Sequence, residues 1–176
     1  MTETLVIDAS IAIKWVVEED GTPQALGLRQ SHRFTAPELL TVECANILWK
    51  KVQRGELSRE EATLAARLLE RSDIELLGMR GLVAKATALA IEIGHPAYDC
   101  IYVSLAVSRN WRFVTADERL IRGLDQKAPR EIADLCVTLE QVSGSIRCED
   151  NETGRHSASG RKYGDAFGAQ FDHEPP

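Results

Sequence analysis

No two of the cysteines at 44, 100, 136 and 148 stand close together, so the chain has neither the paired spacing of a disulfide frame nor that of a zinc site. Reduced thiols of a cytoplasmic protein are the expectation. The N-terminus carries Glu3 and Asp8 without a basic lead or a long apolar stretch, which argues against a signal peptide. No apolar run is long enough to span a bilayer, because Glu92 interrupts the best candidate. A soluble protein with no membrane partner is therefore expected. Positive charge is also short: the net charge is −6, and residues 1–145 hold 17 basic and 21 acidic side chains. That balance excludes a broadly basic nucleic-acid-binding surface, though not a local one. Bound divalent cations would neutralise much of the acidity. No internal repeat is present.

What the sequence does contain is an alternation of short strands and helices. Leu5-Val6-Ile7-Asp8 reads as a buried first strand, and the apolar run Ile11–Val17 as a helix. Thr22 and Pro23 open a second helix, with Thr22 as its cap. A strand over Arg33–Ala36 precedes a long helix from Pro37 to about Arg54, with Leu40, Cys44, Ile47, Leu48 and Val52 on one face. Ser58 and Glu61 have capping-box spacing and start a helix that pairs with the previous one as a hairpin. Further strands are predicted at Ile74–Leu77, Arg112–Thr115 and Leu135–Thr138, and further helices at Val83–Ile93, Ala97–Asn110 and Glu118–Leu124. This order predicts an α/β fold: a three-layer α/β/α sandwich around a mostly parallel sheet, plus one helical hairpin. Residues 1–142 form the domain. Residues 143–176, rich in glycine and scattered charge, read as a disordered tail whose His156 and His173 lack ligand spacing.

Four carboxylates occupy informative positions. Asp8 ends a buried strand, at the edge of the sheet where open α/β folds bind ligands, or it caps the next helix. Glu43 borders the apolar stripe of the long helix, although an ordinary solvated glutamate would fit the same place. Asp99 is the sole charge between Tyr98 and Ser108, in a helix apolar nearly all round; it needs a partner unless it only complements the helix dipole. Asp117 follows the strand Phe113-Val114-Thr115, where Thr115 and Glu118 also have capping-box spacing. Each acid has a structural explanation of its own. Their coincidence points to one pocket, and clustered carboxylates make sense chiefly as a cage for Mg²⁺ or Mn²⁺. Two such ions about 3.5–4 Å apart activate water and stabilise both oxygens of a phosphodiester displacement, so phosphoryl hydrolysis is the reaction class.

Taken in order, Val6-Ile7-Asp8-Ala9-Ser10, Val42-Glu43-Cys44-Ala45-Asn46-Ile47-Leu48, Tyr98-Asp99 leading Ser104-Leu105-Ala106, and Val114-Thr115-Ala116-Asp117 resemble a PIN-domain ribonuclease, most closely the VapC-type toxins of toxin–antitoxin pairs. The match spans about residues 4–140. The resemblance implies a five-stranded parallel sheet with the first and fourth strands adjacent. It also implies that Asp8, Glu43, Asp99 and Asp117 are catalytic and hold one or two Mg²⁺ or Mn²⁺ ions, with Ser10, Thr115 and Asn46 in support. RNA cleavage, a homodimer and a cognate antitoxin that covers the cleft are further implications. Lys50, Lys51 and Arg54 are candidate RNA contacts, or solvated helix charges. Tyr98 and Trp15 are candidates for base stacking, or packing residues. The tail after residue 142 departs from the family's usual form. A non-catalytic PIN-like module with an acidic pocket for a basic partner is the alternative. A haloacid-dehalogenase-like phosphatase would need a second Asp where this chain has Ser10.

Overall fold

The computed structural model describes residues 2–149. Five strands form one sheet: β1 (Glu3–Ile7), β2 (His32–Pro37), β3 (Ile74–Leu77), β4 (Arg112–Thr115) and β5 (Cys136–Thr138). All neighbours are parallel, in the order β3-β2-β1-β4-β5, with helices flanking the sheet. Parallel strands need crossovers, and helices supply them. Strand β1 leads through α1 (Ala9–Ala12), a 3₁₀ turn (Ile13–Trp15) and α2 (Thr22–Leu28) to β2. The hairpin α3 (Leu39–Gln53) and α4 (Arg59–Glu70) joins β2 to β3, and α5 (Val83–Ile93) and α6 (Ala97–Arg109) join β3 to β4. The chain then passes through α7 (Glu118–Lys127) and α8 (Arg130–Ala133) to β5, and continues as α9 (Leu139–Glu149).

Winding outward from β1 to β3 and then returning to the other side of β1 places a topological switch point between β1 and β4. The crevice beyond the carboxyl ends of strands at such a point is where ligands settle. The register fixes what lines it. Leu5, Val6 and Ile7 pair with Arg112, Phe113 and Val114, so one step further along each strand brings Asp8 beside Thr115. Leu5, Val6, Ile7, Phe113 and Val114 are buried, as strands covered on both faces must be. At the opposite end of this strand pair, Arg112 grips Glu3 through two hydrogen bonds, Nε to Oε1 at 2.7 Å and a terminal nitrogen to Oε2 at 2.6 Å.

The predicted hairpin is present. Ser58 Oγ accepts from the Glu61 N–H while Glu61 Oε2 accepts from the Ser58 N–H, which starts α4. Several boundaries differ from the sequence reading. Residues 11–17 do not form one helix: α1 is short, tightens into the 3₁₀ turn and ends there. Helix α2 is capped by Gly21 with φ +86°, while the Thr22 hydroxyl accepts from Glu19 N–H instead. Pro37 belongs to β2 and not to α3. Helices α8 and α9 were not anticipated, and α9 carries the chain to Glu149, past the boundary set at residue 142. The remainder of the expected tail, 150–176, lies outside the described residues. Among the described residues no helix is long and apolar enough to cross a membrane.

Candidate metal centre

Asp8 is the N-cap of α1, and both of its oxygens are in use. Oδ1 accepts from Ser10 Oγ and from the Ile11 N–H at 3.2 Å; Oδ2 accepts from Thr115 Oγ1. Ser10 Oγ in turn accepts from the Ala116 N–H at 2.9 Å, and Thr115 Oγ1 accepts from the Asp117 N–H at 2.9 Å. Two hydroxyls thus tie the end of β1 to the end of β4. Asp117 caps α7 with Oδ1, which receives the N–H groups of Arg119 and Leu120 at 2.8 and 3.1 Å. Its other oxygen is left to face the crevice. Thr115 is not the α7 cap that its spacing to Glu118 suggested.

Asp99 stands in the first turn of α6, whose residues Cys100–Ala106 are all buried. The carboxylate faces His95, whose Nε2 lies 2.9 Å from Asp99 Oδ2 and 3.9 Å from Asp117 Oδ2. One ligand atom each from His95, Asp99 and Asp117 falls within 4.8 Å of the others. Glu43, half-buried on α3, reaches inward and accepts from the hydroxyl of Tyr102 on α6. Asp99 and Asp117 therefore converge on the same imidazole. Asp8 and Glu43 lie outside that 4.8 Å group among the described residues; each feels the charge of Asp99, and Glu43 also that of Asp8.

That crowding appears in the protonation equilibria. Burial pushes the Asp8 carboxyl up to about 6, against the pull of its bonds from Ser10, Thr115 and the Ile11 N–H, and Asp99 adds to the rise. Glu43 is raised by burial, eased by Tyr102, and raised again by Asp99 and Asp8. Asp99 is raised by burial, lowered by His95 and raised by Asp117. A positive ion placed among these groups would relieve the cost of each. The hard carboxylate oxygens that converge, those of Asp99 and Asp117 with the His95 nitrogen beside them, are of the kind that holds a divalent cation. An open cleft of about 480 Å³, lined by Lys14, Gly21, Arg122 and the residues flanking Asp117, Ala116 and Glu118, opens next to Asp117, and neither the four acids nor His95 lines it.

The amino-acid sequence matches the PIN domain family over residues 5–124. It is 32% identical over 122 residues to ribonuclease VapC3 of Pyrobaculum aerophilum, covering 66% of this chain and 91% of that one. The chain is a PIN-domain protein of the VapC type. Ribonuclease VapC9 of Mycobacterium tuberculosis is also 32% identical, over 116 residues, 66% of this chain and 87% of the relative. Solved structures share the fold. PAE2754 of Pyrobaculum aerophilum superposes with a TM-score of 0.61 at 20% identity, covering 84% of this chain and 92% of the other. VapBC2 of Rickettsia felis, bound to a DNA fragment from their promoter, gives a TM-score of 0.53 at 12% identity over 77% and 98%.

Within this PIN domain the secondary candidates divide. Ser10 and Thr115 contact Asp8 as described, whereas Asn46 is exposed on α3 one turn beyond Glu43. Lys51 is held between Glu19 and Glu56, Arg54 lies 3.7 Å from Glu56, and Lys50 is exposed. Trp15 is built into packing: its indole N–H donates to Ala25 C=O at 3.0 Å, its ring meets Phe34 edge-on, and Arg29 covers it at 4.9 Å. Tyr98 remains 59% exposed. Sequence reasoning missed two contributors, His95 and Tyr102. His95 lies in the break between α5 and α6, so its spacing to Asp99 was no helical signal; only the fold aims it at the first turn of α6. Nothing local marked Tyr102 as the partner of Glu43.

Proposed function

We propose that the chain is a divalent-metal-dependent endoribonuclease acting as the toxin of a toxin–antitoxin pair. The observation that carries this reading is the convergence of Asp99 and Asp117 with His95 beyond the ends of β1 and β4, with Asp8 and Glu43 electrically coupled to them. Asp8, Glu43, Asp99 and Asp117 would hold one or two Mg²⁺ or Mn²⁺ ions. Such ions activate water and stabilise the entering and leaving oxygens at a phosphodiester. The chain's own part is to aim the carboxylates. Thr115 and Ser10 fix both oxygens of Asp8, the α7 N-terminus fixes Asp117, and Tyr102 fixes Glu43. In the reaction a water oxygen bonds to phosphorus, one P–O bond of the RNA backbone breaks, and the departing oxygen takes a proton.

RNA would lie over Asp99 and Asp117, next to the cleft lined by Ala116, Glu118 and Arg122. Lys50 and the exposed ring of Tyr98, next to Asp99, are the contacts most available to a phosphate and a base, while Lys51 and Arg54 would have to leave Glu56 first. A cognate antitoxin and a second copy of the chain are the protein partners in this reading. The antitoxin is supported by similarity to a Klebsiella pneumoniae toxin–antitoxin complex, with a TM-score of 0.54 at 14% identity over 77% of this chain and 97% of that one. Exposed Val42 and Trp49 on α3 add an apolar surface suited to a protein partner. The buried free thiols Cys44, Cys100 and Cys136 accord with a cytoplasmic location. Incubating the purified protein with a labelled single-stranded RNA tests the reading. Cleavage with Mg²⁺ or Mn²⁺ that stops on adding EDTA is expected, and an intact RNA across a range of sequences would overturn it.

A further inference from the structure

We infer that His95 is a nitrogen ligand of the metal centre and sets its preference for Mn²⁺ over Mg²⁺, an inference that rests on the metal-dependent reading above. The backbone delivers this imidazole deliberately. Gly94 ends α5 at φ +68°, a left-handed conformation open to glycine; the His95 N–H bonds to Ala90 C=O at 3.2 Å, and Pro96 starts α6. The His95 side chain is 8% exposed, with Nε2 directed at Asp99 and Asp117. Neighbouring donors around an octahedral ion with bonds of about 2.1 Å stand about 3 Å apart, and opposite donors about 4.2 Å. The separations of 2.9 and 3.9 Å from Nε2 to the two carboxylate oxygens fall within that range, so His95 can share one ion with Asp99 and Asp117.

The donor set then determines selectivity. Mg²⁺ favours oxygen and holds its water, whereas Mn²⁺ accepts an imidazole alongside carboxylates. A nitrogen in the first coordination sphere should therefore raise affinity for Mn²⁺ while contributing little for Mg²⁺. A purely orienting role, in which His95 donates to Asp99 and never meets the ion, would hold both ions equally.

Pulsed electron paramagnetic resonance on the full chain loaded with Mn²⁺ separates these roles without reference to catalysis. A directly bound imidazole imprints ¹⁴N modulation on the Mn²⁺ signal, replaced by the ¹⁵N pattern when the protein carries ¹⁵N-histidine. The variant His95→Gln should lose that modulation and bind Mn²⁺ about tenfold or more weakly in calorimetry, with a smaller change for Mg²⁺. The chain has three other histidines, His32, His156 and His173. Replacing all three by Gln should leave the modulation intact, which keeps the test decisive even if His95→Gln does not fold. Mn²⁺ binding without histidine modulation, or modulation that survives in His95→Gln, would overturn the inference and leave the metal centre standing. No Mn²⁺ binding at all would overturn both.

Discussion

The Thr115 hydroxyl donates to Asp8 Oδ2 across 107 positions of chain and accepts the N–H of Asp117, so one buried side chain sets the geometry of two acids. Thr115 is fully buried, and its replacement by Val preserves shape while removing both bonds. Thr115→Val should cost about 2 kcal/mol in urea unfolding, as the loss of a bond to a carboxylate does. RNA cleavage should fall by roughly tenfold or more, the usual effect of removing a ligand's orienting partner. An unchanged rate would show that Asp8 needs no orientation.

The raised Asp8 carboxyl makes stability depend on pH in a stated direction. Unfolded, Asp8 releases its proton near pH 4; folded without metal, it holds that proton until about pH 6. Stability from this group is complete below pH 4 and is lost as pH rises to about 6, by roughly 2–3 kcal/mol in total. Urea unfolding in EDTA between pH 3.5 and 7.5 should record that decline as the difference between wild type and Asp8→Asn, because Glu3 and Glu19, both lowered by their cationic partners, add a slope of opposite sign. Asp8→Asn should flatten much of the decline and stabilise the metal-free protein at pH 7. Glu43 and Asp99, also raised by burial, keep some slope of the same sign as Asp8.

Tyr102→Phe isolates the bond to Glu43. The ring is buried and stacked on Phe113 at 6.0 Å, which the variant retains. The hydroxyl lowers the Glu43 carboxyl against burial, so its removal lets that carboxyl rise further. The acidic limb of the pH–rate profile should move to higher pH, with a stability loss of only about 1 kcal/mol. A profile that keeps its position would separate Glu43 from the rate.

Gly21 and Gly27 lie at opposite ends of the range of tolerance for a methyl group. At Gly21, φ is +86° and an added Cβ would stand 3.1 Å from Leu139 Cδ2. Gly21→Ala should destabilise by about 1–2 kcal/mol. Gly27, inside α2, has open space around it, and Gly27→Ala should stabilise by about 0.5–1 kcal/mol. Thermal denaturation of the two variants should give shifts of opposite sign.

Much of this architecture was legible in the order of residues, because Leu5-Val6-Ile7 and Phe113-Val114 are buried on both faces and write themselves as apolar runs ending on polar groups. The capping explanation offered for Asp8 is realised, and at Asp117 the cap is the acid itself instead of Thr115; the second oxygen is held by Thr115 in Asp8 and stands 3.9 Å from His95 Nε2 in Asp117. What stayed hidden were contacts made by folding alone. Tyr102 meets Glu43 across 59 positions, and no local pattern announces it. His95 read as a break between helices because Gly94 and Pro96 bracket it. Helix α9 did leave a mark: the Thr138 N–H donates to Gln141 Oε1 at 2.8 Å and the Gln141 N–H to Thr138 Oγ1 at 3.2 Å, a capping box whose spacing the glycine and serine beyond it obscured.

Cleavage of single-stranded RNA by Asp99→Asn, beside wild type at saturating Mg²⁺ and Mn²⁺, tests the shared carboxylate centre most directly. Asp99 is the acid that bears on Asp8 and Glu43 and sits against His95, so its neutral isostere should abolish cleavage while unfolding stays cooperative. Wild-type rates in that variant would contradict the account.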